Sequence, residues 1–369
     1  MENVLEIKNL SVSFYHPKEE LEAVRDVSFS LKQGEVLAIV GESGCGKSVL
    51  CRAIMKLLPE NARIKSGSIW VDGVNITNYR GRDMERLRGR VFSMVFQNPM
   101  AALNPTIPIG KQIEEAVRIH NPKMKRDDVR QRVIKLMEQV GISEAEQRYS
   151  MYPYQFSGGM RQRLVMAIAL ASEPKILLAD EPTTSLDVTI QAQILDLLRE
   201  IQKKLLTATI LVSHDLGVVA RVADRVAVMY AGKIVEIGTV EDIFYEPRHP
   251  YTWGLMRSLP SFAKKGEELY TIPGMPPSSR NLPKGDAFAC RNEYALEIDY
   301  KEMPPMFQVS ETHYAATWLL DERAPDVQQG SPLAKTSPLV KTLPSVKTSS
   351  LTKTSPSVKV PSAGGGFHG

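Results

Sequence analysis

Apolar and polar positions divide the chain into two unlike stretches. From Leu5 to about Phe244, short β-type apolar runs alternate with helical patterns, the signature of an α/β core. Val36–Val40 is a continuous apolar run, as expected of a strand buried on both faces, and Lys175–Ala179 and Thr209–Val212 read the same way. Between the first two, roughly 107–172 is mostly helical. Its first part is polar and punctuated by Asn104-Pro105 and Asn121-Pro122, which predicts a subdomain inserted in the sheet domain. Ile190, Ile194, Leu197, Leu198, Ile201 and Leu205 recur at helical spacing, so 189–205 is predicted as an amphipathic helix with this stripe on the core.

Beyond about residue 250 the pattern fades. Residues 1–255 read as one domain, and 256–326 as a Pro-rich appendix of irregular structure with short apolar runs. From 327 to 369 the chain is low in complexity. Lys335, Lys341, Lys347, Lys353 and Lys359 recur every six residues, four of them followed by Thr, with Pro in most repeats and no aromatic until Phe367. A β-helix shares this period, but the composition predicts disorder.

Composition narrows the class. The longest apolar runs fall far short of the ~20 residues that cross a bilayer, and the N-terminus has no signal-peptide core. Cys45, Cys51 and Cys290 form no CxxC pair and leave one odd, which suits a reducing cytosol. The net charge of +4 invites a nucleic-acid reading, but five of the lysines lie in the tail. Without them 41 basic residues face 42 acidic ones, so no basic field steers the folded part toward a phosphate backbone.

Two motifs carry chemistry. Gly41-Glu-Ser43-Gly44-Cys-Gly46-Lys47-Ser48-Val49 follows the buried strand and opens a helix, the context of a P-loop. Its glycines let successive N–H groups face phosphate oxygens at a helix N-terminus. Lys47 then neutralises the β/γ-phosphates and Ser48 ligates Mg²⁺. Lys175-Ile-Leu-Leu-Ala-Asp180-Glu181 ends a strand in two carboxylates, Asp180 suited to hold the metal and Glu181 to polarise the attacking water. Cys45, beside Lys47 at a helix N-terminus, is expected to favour the thiolate, or else fills a permissive loop position.

Ser157-Gly158-Gly159-Met160-Arg161-Gln162-Arg163 then narrows the P-loop class. Over residues 4–255 the chain resembles the ABC ATPases, whose signature is LSGGQ; here it reads Phe156-Ser-Gly-Gly-Met160. The resemblance implies an α/β P-loop fold with an inserted helical subdomain. It implies that Gln97 (in VFQNPM) is the Q-loop residue reaching the Mg²⁺ and the water. Ser185-Leu186-Asp187 fits the D-loop, and His214 (in LVSHDLG) the histidine that contacts the γ-phosphate; as the end of an apolar run, His214 also reads as a core histidine. Phe14 or neighbouring Tyr15 would stack on adenine. Ser157, Gly158 and Gly159 would cap the ATP of a partner subunit, so that ATP acts as a ligand of the closed dimer.

Gln97-Asn-Pro-Met-Ala-Ala-Leu-Asn-Pro105, His249-Pro250-Tyr251-Thr252 and Ile272-Pro273-Gly274-Met275-Pro276-Pro277 are similar to the oligopeptide, dipeptide and nickel importer ATPases. SGGMRQR is similar to the first of the two ATPases such importers carry. The implied partners are a second, non-identical ATPase, two transmembrane permeases and an extracytoplasmic solute-binding protein, with this chain peripheral on the cytoplasmic face of the membrane. Peptide is the implied cargo and nickel or a metal chelate the alternative. A soluble, non-transport ABC ATPase is the distant alternative, disfavoured because the chain has a single P-loop and no sustained heptads. Many relatives carry four appendix cysteines that hold an iron–sulfur cluster. Aligned on Gly285–Phe288 and Glu293–Ala295, those positions here are Asp286, Asn292, Asp299 and Thr317, a poor ligand set for such a cluster. The appendix is therefore expected to lack the cluster and to stand on a thin core of Phe288, Phe307, Trp318 and Leu319.

Overall fold

The structure, a computed structural model, describes residues 2–17, 19–97, 102–184, 186–259, 270–325 and 327. The expectation for the lysine-rich tail concerns residues that lie, Val327 apart, outside these.

Two sheets organise the chain. Strands β1 (Asn3–His16), β2 (Glu19–Lys32), β4 (Ala62–Val71) and β5 (Val74–Asn75) form an antiparallel sheet in the order β2-β1-β4-β5. The second sheet runs β11-β12-β10-β9-β3-β8-β7-β6. Its parallel centre comprises β3 (Val36–Val40), β6 (Phe92–Val95), β7 (Ile176–Asp180), β8 (Ala208–Ser213) and β9 (Arg225–Tyr230). Antiparallel β10 (Lys233–Thr239), β12 (Tyr314–Ala315) and β11 (Phe307–Gln308) complete one edge. All residues of β3, β7 and β8 are buried, which is why these strands read as unbroken apolar runs.

Helix α1 (Lys47–Ile54) leaves β3 through the phosphate-type loop and packs between the two sheets; α2 (Arg82–Leu87) follows β5. The predicted helical stretch contains α3 (Ile109–His120), α4 (Arg126–Gln139), α5 (Ala145–Arg148) and α6 (Gly158–Leu170). Ile113, Val117, Val133, Met137 and Leu164 join them in a core continuous with the sheet face under α7 (Val188–Leu205). On α7 the stripe holds for Ile194, Leu197, Leu198 and Ile201, while Ile190 is half-buried. Leu205 departs from the expectation: it is 41% exposed, because the helix ends there and Leu206 turns left-handed. Helices α8 (Leu216–Val222), α9 (Val240–Tyr245) and α10 (Pro250–Arg257) cover the other face of the sheet near β9 and β10.

The thin-core expectation for the appendix needs correcting. Of Phe288, Phe307, Trp318 and Leu319, only Phe288 is buried. Its ring lies 5.3 Å from those of Tyr230 and Tyr251, in a cluster shared with β3, β9 and α9. The hairpin β11–β12 extends the main sheet, Ala315 opposite Glu236 and Tyr314 opposite Ile237. The C-terminal segment thus borrows its core from the rest of the chain.

Candidate active site

The C-terminal ends of the parallel strands converge, as they do at ligand sites of open α/β sheets. Between β3 and α1 the backbone turns through Gly41, Gly44 and Gly46, all at positive φ. A Cβ on Gly41 would lie 2.1 Å from the Met229 carbonyl oxygen, and one on Gly46 2.3 Å from that of Ala23, so glycine is required at both. Gly44 and Ser43 face open space. Lys47 is buried and folds back onto the loop, Nζ donating to the Gly41 and Glu42 carbonyls at 2.8 and 3.0 Å. Val49, half-buried, packs against the core beneath.

Ser48 Oγ donates to Asp180 Oδ1 at 2.8 Å, bringing the loop and the β7 tip together. Burial raises the Asp180 pKa, opposed by the Ser48 hydrogen bond and reinforced by the charge of Glu181. Glu181 sits at φ 47°, a conformation that costs a non-glycine residue about 1 kcal/mol or more. Its amide stays on the ladder, donating to Val212 O at 3.0 Å, so the strain aims the side chain sideways out of β7. Oε2 then receives Gln97 Nε2 at 2.9 Å and Thr184 Oγ1 at 2.9 Å, with His214 Nδ1 at 3.4 Å. His214 follows the last residue of β8 with its side chain 60% exposed, which removes the core-histidine alternative.

The remaining candidates lie apart from this cluster. Ser157 caps α6, its Oγ accepting from Met160 N at 3.4 Å, and Gly158 and Gly159 open that helix. A Cβ on Gly159 would meet Ile190 at 2.5 Å, so this turn packs on the start of α7. Asp187 caps α7 through Ile190 N at 2.9 Å; Ser185 lies outside the described residues. On β1, Tyr15 carries the Arg63 guanidinium 4.2 Å from its ring centre, while Phe14 is half-exposed beside it. The thiolate expectation for Cys45 is overturned: its thiol is buried, and that burial outweighs nearby Lys47 and pushes its pKa up.

Sequence reasoning missed three residues here. Thr184, three positions after Glu181 in a turn, fixes the carboxylate. Glu42 and Arg291 meet across 249 positions, a pairing no local pattern signals. A cleft of about 540 Å³ opens beside Asp180, lined by Arg52, Gln97, Phe96 and Val165 among others.

The arrangement can hold a polyphosphate on the loop, a hard cation between Ser48 and Asp180, and a water at Glu181. Comparison with known proteins gives this chemistry a family. The ABC transporter model matches residues 24–184, and that of the oligopeptide/dipeptide transporter C-terminal region matches 235–298, beginning inside β10. The dipeptide transport ATP-binding protein DppD of Lactococcus lactis subsp. cremoris is 54% identical over 326 residues, 88% of this chain and 93% of that protein. The oligopeptide transport ATP-binding protein OppD of Bacillus subtilis is 54% identical over 88% of this chain and 91% of its own length. Among solved structures, the ATP-binding cassette MJ0796, a dimer in a post-hydrolysis state bound to ADP and Pi, aligns with TM-score 0.58 at 25% identity. That alignment covers 64% of this chain and 98% of the cassette.

Proposed function

The chain belongs to the ABC transporter family, among the ATP-binding proteins of oligopeptide and dipeptide transport, and from that premise we propose how its residues divide the work. The chain binds and hydrolyses ATP, and the hydrolysis energises peptide import. The loop amides between Ser43 and Ser48 take the phosphates, while that of Glu42 is held by Tyr251, and Lys47 leaves the Gly41 and Glu42 carbonyls to neutralise them. Phe14 takes the adenine, since Tyr15 already holds Arg63. Ser48, Asp180 and the Gln97 amide oxygen form an all-oxygen set that suits Mg²⁺, and the 2.8 Å Ser48–Asp180 contact supports the fit. When bound, the ion offsets phosphate charge.

The observation that carries the catalytic reading is the convergence of Gln97, Thr184 and His214 on one oxygen of Glu181. Three groups orient a strained carboxylate, as a general base requires. The Ser157-Gly158-Gly159 helix start is a second anion site, and it serves the ATP of a partner. Among the described residues no helix is long and apolar enough to cross a membrane. The family assignment supports as partners two permeases that form the channel, a second, non-identical ATPase and an extracytoplasmic solute-binding protein. The chain acts at the cytoplasmic membrane face, without nucleic acid.

Peptide is favoured over nickel because the names of the relatives and the C-terminal match both concern peptides. Vesicles carrying the assembled importer test this. ATP-dependent uptake of labelled peptide is expected, and uptake of nickel without peptide would reverse the order.

A further inference from the structure

The phosphate loop is held from outside by the C-terminal segment. Glu42, the second residue of that loop, accepts a forked pair from Arg291: Nη1 to Oε2 at 2.7 Å and Nη2 to Oε1 at 3.0 Å. The Glu42 amide donates to Tyr251 Oη at 2.9 Å, and its carbonyl accepts from Lys47 Nζ. Each polar group of Glu42 is thus committed. Arg291 is equally fixed: Nε donates to Pro273 O at 2.8 Å and Nη1 to Tyr230 Oη at 3.2 Å. The Arg291 side chain is only 5% exposed and that of Glu42 26%. Beside the pair, Pro276, Pro277 and Ser279 share the wall of a cavity of about 250 Å³ with Glu42, Ser43 and Gly44. The segment therefore flanks the loop over several residues.

From this geometry we infer that Arg291 is a positioning residue for ATP, acting through Glu42 to hold the phosphate loop in its binding shape and to cancel that loop's one negative charge. The inference rests on reading Gly41–Ser48 as the ATP loop. Two physical effects support it. A forked guanidinium–carboxylate pair fixes orientation as well as distance, so the loop backbone at Glu42 is set before nucleotide arrives. An unneutralised Glu42 would also repel an incoming polyphosphate, and with its partner little exposed the pair is weakly screened. The C-terminal segment becomes part of the ATP site without touching ATP.

The test measures MgATP affinity of the full chain by competition with a fluorescent ATP analogue. Arg291→Gln should weaken binding about tenfold, on the order expected of one uncancelled charge acting on the phosphates through partly screened surroundings. The defect should grow as salt is lowered, because Glu42 is then less screened. Arg291→Lys keeps the charge but not the fork and should recover part of the loss. Adding Glu42→Gln to Arg291→Gln should restore a similar part, since the uncancelled charge is gone while the fork is still missing. Affinity within twofold of wild type in folded Arg291→Gln, or losses that simply multiply in the double variant, would overturn the inference. If Arg291→Gln does not fold, Arg291→Lys carries the test, and unchanged affinity there overturns it equally. Wild-type chain that fails to bind MgATP would instead overturn the reading of the loop.

Discussion

Two polar regions of this molecule are built on opposite rules. At the strand tips, Gln97 and His214 are exposed and strung onto a strained Glu181. At the seam with the C-terminal segment, Glu236 is wholly buried and accepts from Arg248 N at 2.6 Å, His249 N at 3.2 Å and His313 at 2.8 Å. The first set spends its hydrogen bonds on one another and can exchange them for a ligand. The second set has partners that only unfolding can remove. A polar cluster thus shows its use by what its groups would lose: exposed and strained groups await a ligand, while buried and satisfied groups hold elements together.

Glu236→Ala gives the largest expected effect. It leaves two buried donors and the half-buried Arg248 N–H without an acceptor, a change on the order of 3–5 kcal/mol in stability. Urea unfolding followed by tryptophan fluorescence measures it, with hydrolysis per folded molecule kept within about twofold. A loss under about 1 kcal/mol would put the seam on the same footing as the strand tips. Glu181→Gln should do the converse. Hydrolysis should fall about a hundredfold or more while ATP binding persists, and the ATP-bound complex with the partner ATPase should accumulate. Normal turnover in this variant removes Glu181 from the chemistry.

The contrast also explains what the sequence disclosed. Gly41–Ser48 and Asp180-Glu181 are contiguous because a loop cradling phosphates and a strand tip must be built from neighbours, so both were legible with their strands displaced by no more than one residue. The seam is assembled from pairs far apart in the chain, Arg291 with Glu42 and His313 with Glu236, and no periodicity joins them. The thin-core expectation failed for the same reason: Phe288 finds its neighbours on β9 and α10, not in its own segment. Leu205 continued the helical stripe in sequence, but chain direction decides where a stripe leaves the core.

A smaller effect sharpens the comparison within the seam. Asp286, Asn292 and Thr317 accept from the backbone N–H two residues on, and Asp299 from Leu296 N, so all four positions aligned with cluster cysteines serve as local turn caps. Burial, with the nearby charge of Asp299, raises the Asp286 pKa to about 6. The native state then holds this proton more tightly than the unfolded chain does. Its contribution is fully present below about pH 4 and lost as pH rises through about 6. Asp286→Asn keeps an acceptor for Phe288 N without the buried charge. It should stabilise the chain by on the order of 1–3 kcal/mol at pH 7.5, with the gain vanishing toward pH 4. Unfolding at both pH values checks it; an equal gain at both would exclude titration of Asp286 as the cause.

The smallest effect tests the boundary between the regions, where the phosphate loop turns inward at Cys45. Lys47 and the start of α1 favour a thiolate there, and Lys47 Nζ does lie 3.7 Å from Sγ. Burial decides otherwise. A Cβ on Gly41 would stand only 2.9 Å from that sulfur, so the loop leaves it little room, and both Cys45 and Cys51 are pushed up while Cys290 is exposed. A thiol reagent should therefore modify Cys290 first in the native chain. Cys45 should follow only as the loop opens, and all three should react once the chain is unfolded. Because Cys290 is already exposed and its labelling needs no opening of the loop, MgATP should change it by less than about twofold, against the slow background of local opening. Peptide mass spectrometry after brief alkylation reads this directly. Cys45 labelled ahead of Cys290 would mean that the charge of Lys47 outweighs burial, and that the loop belongs with the exposed groups rather than the held ones.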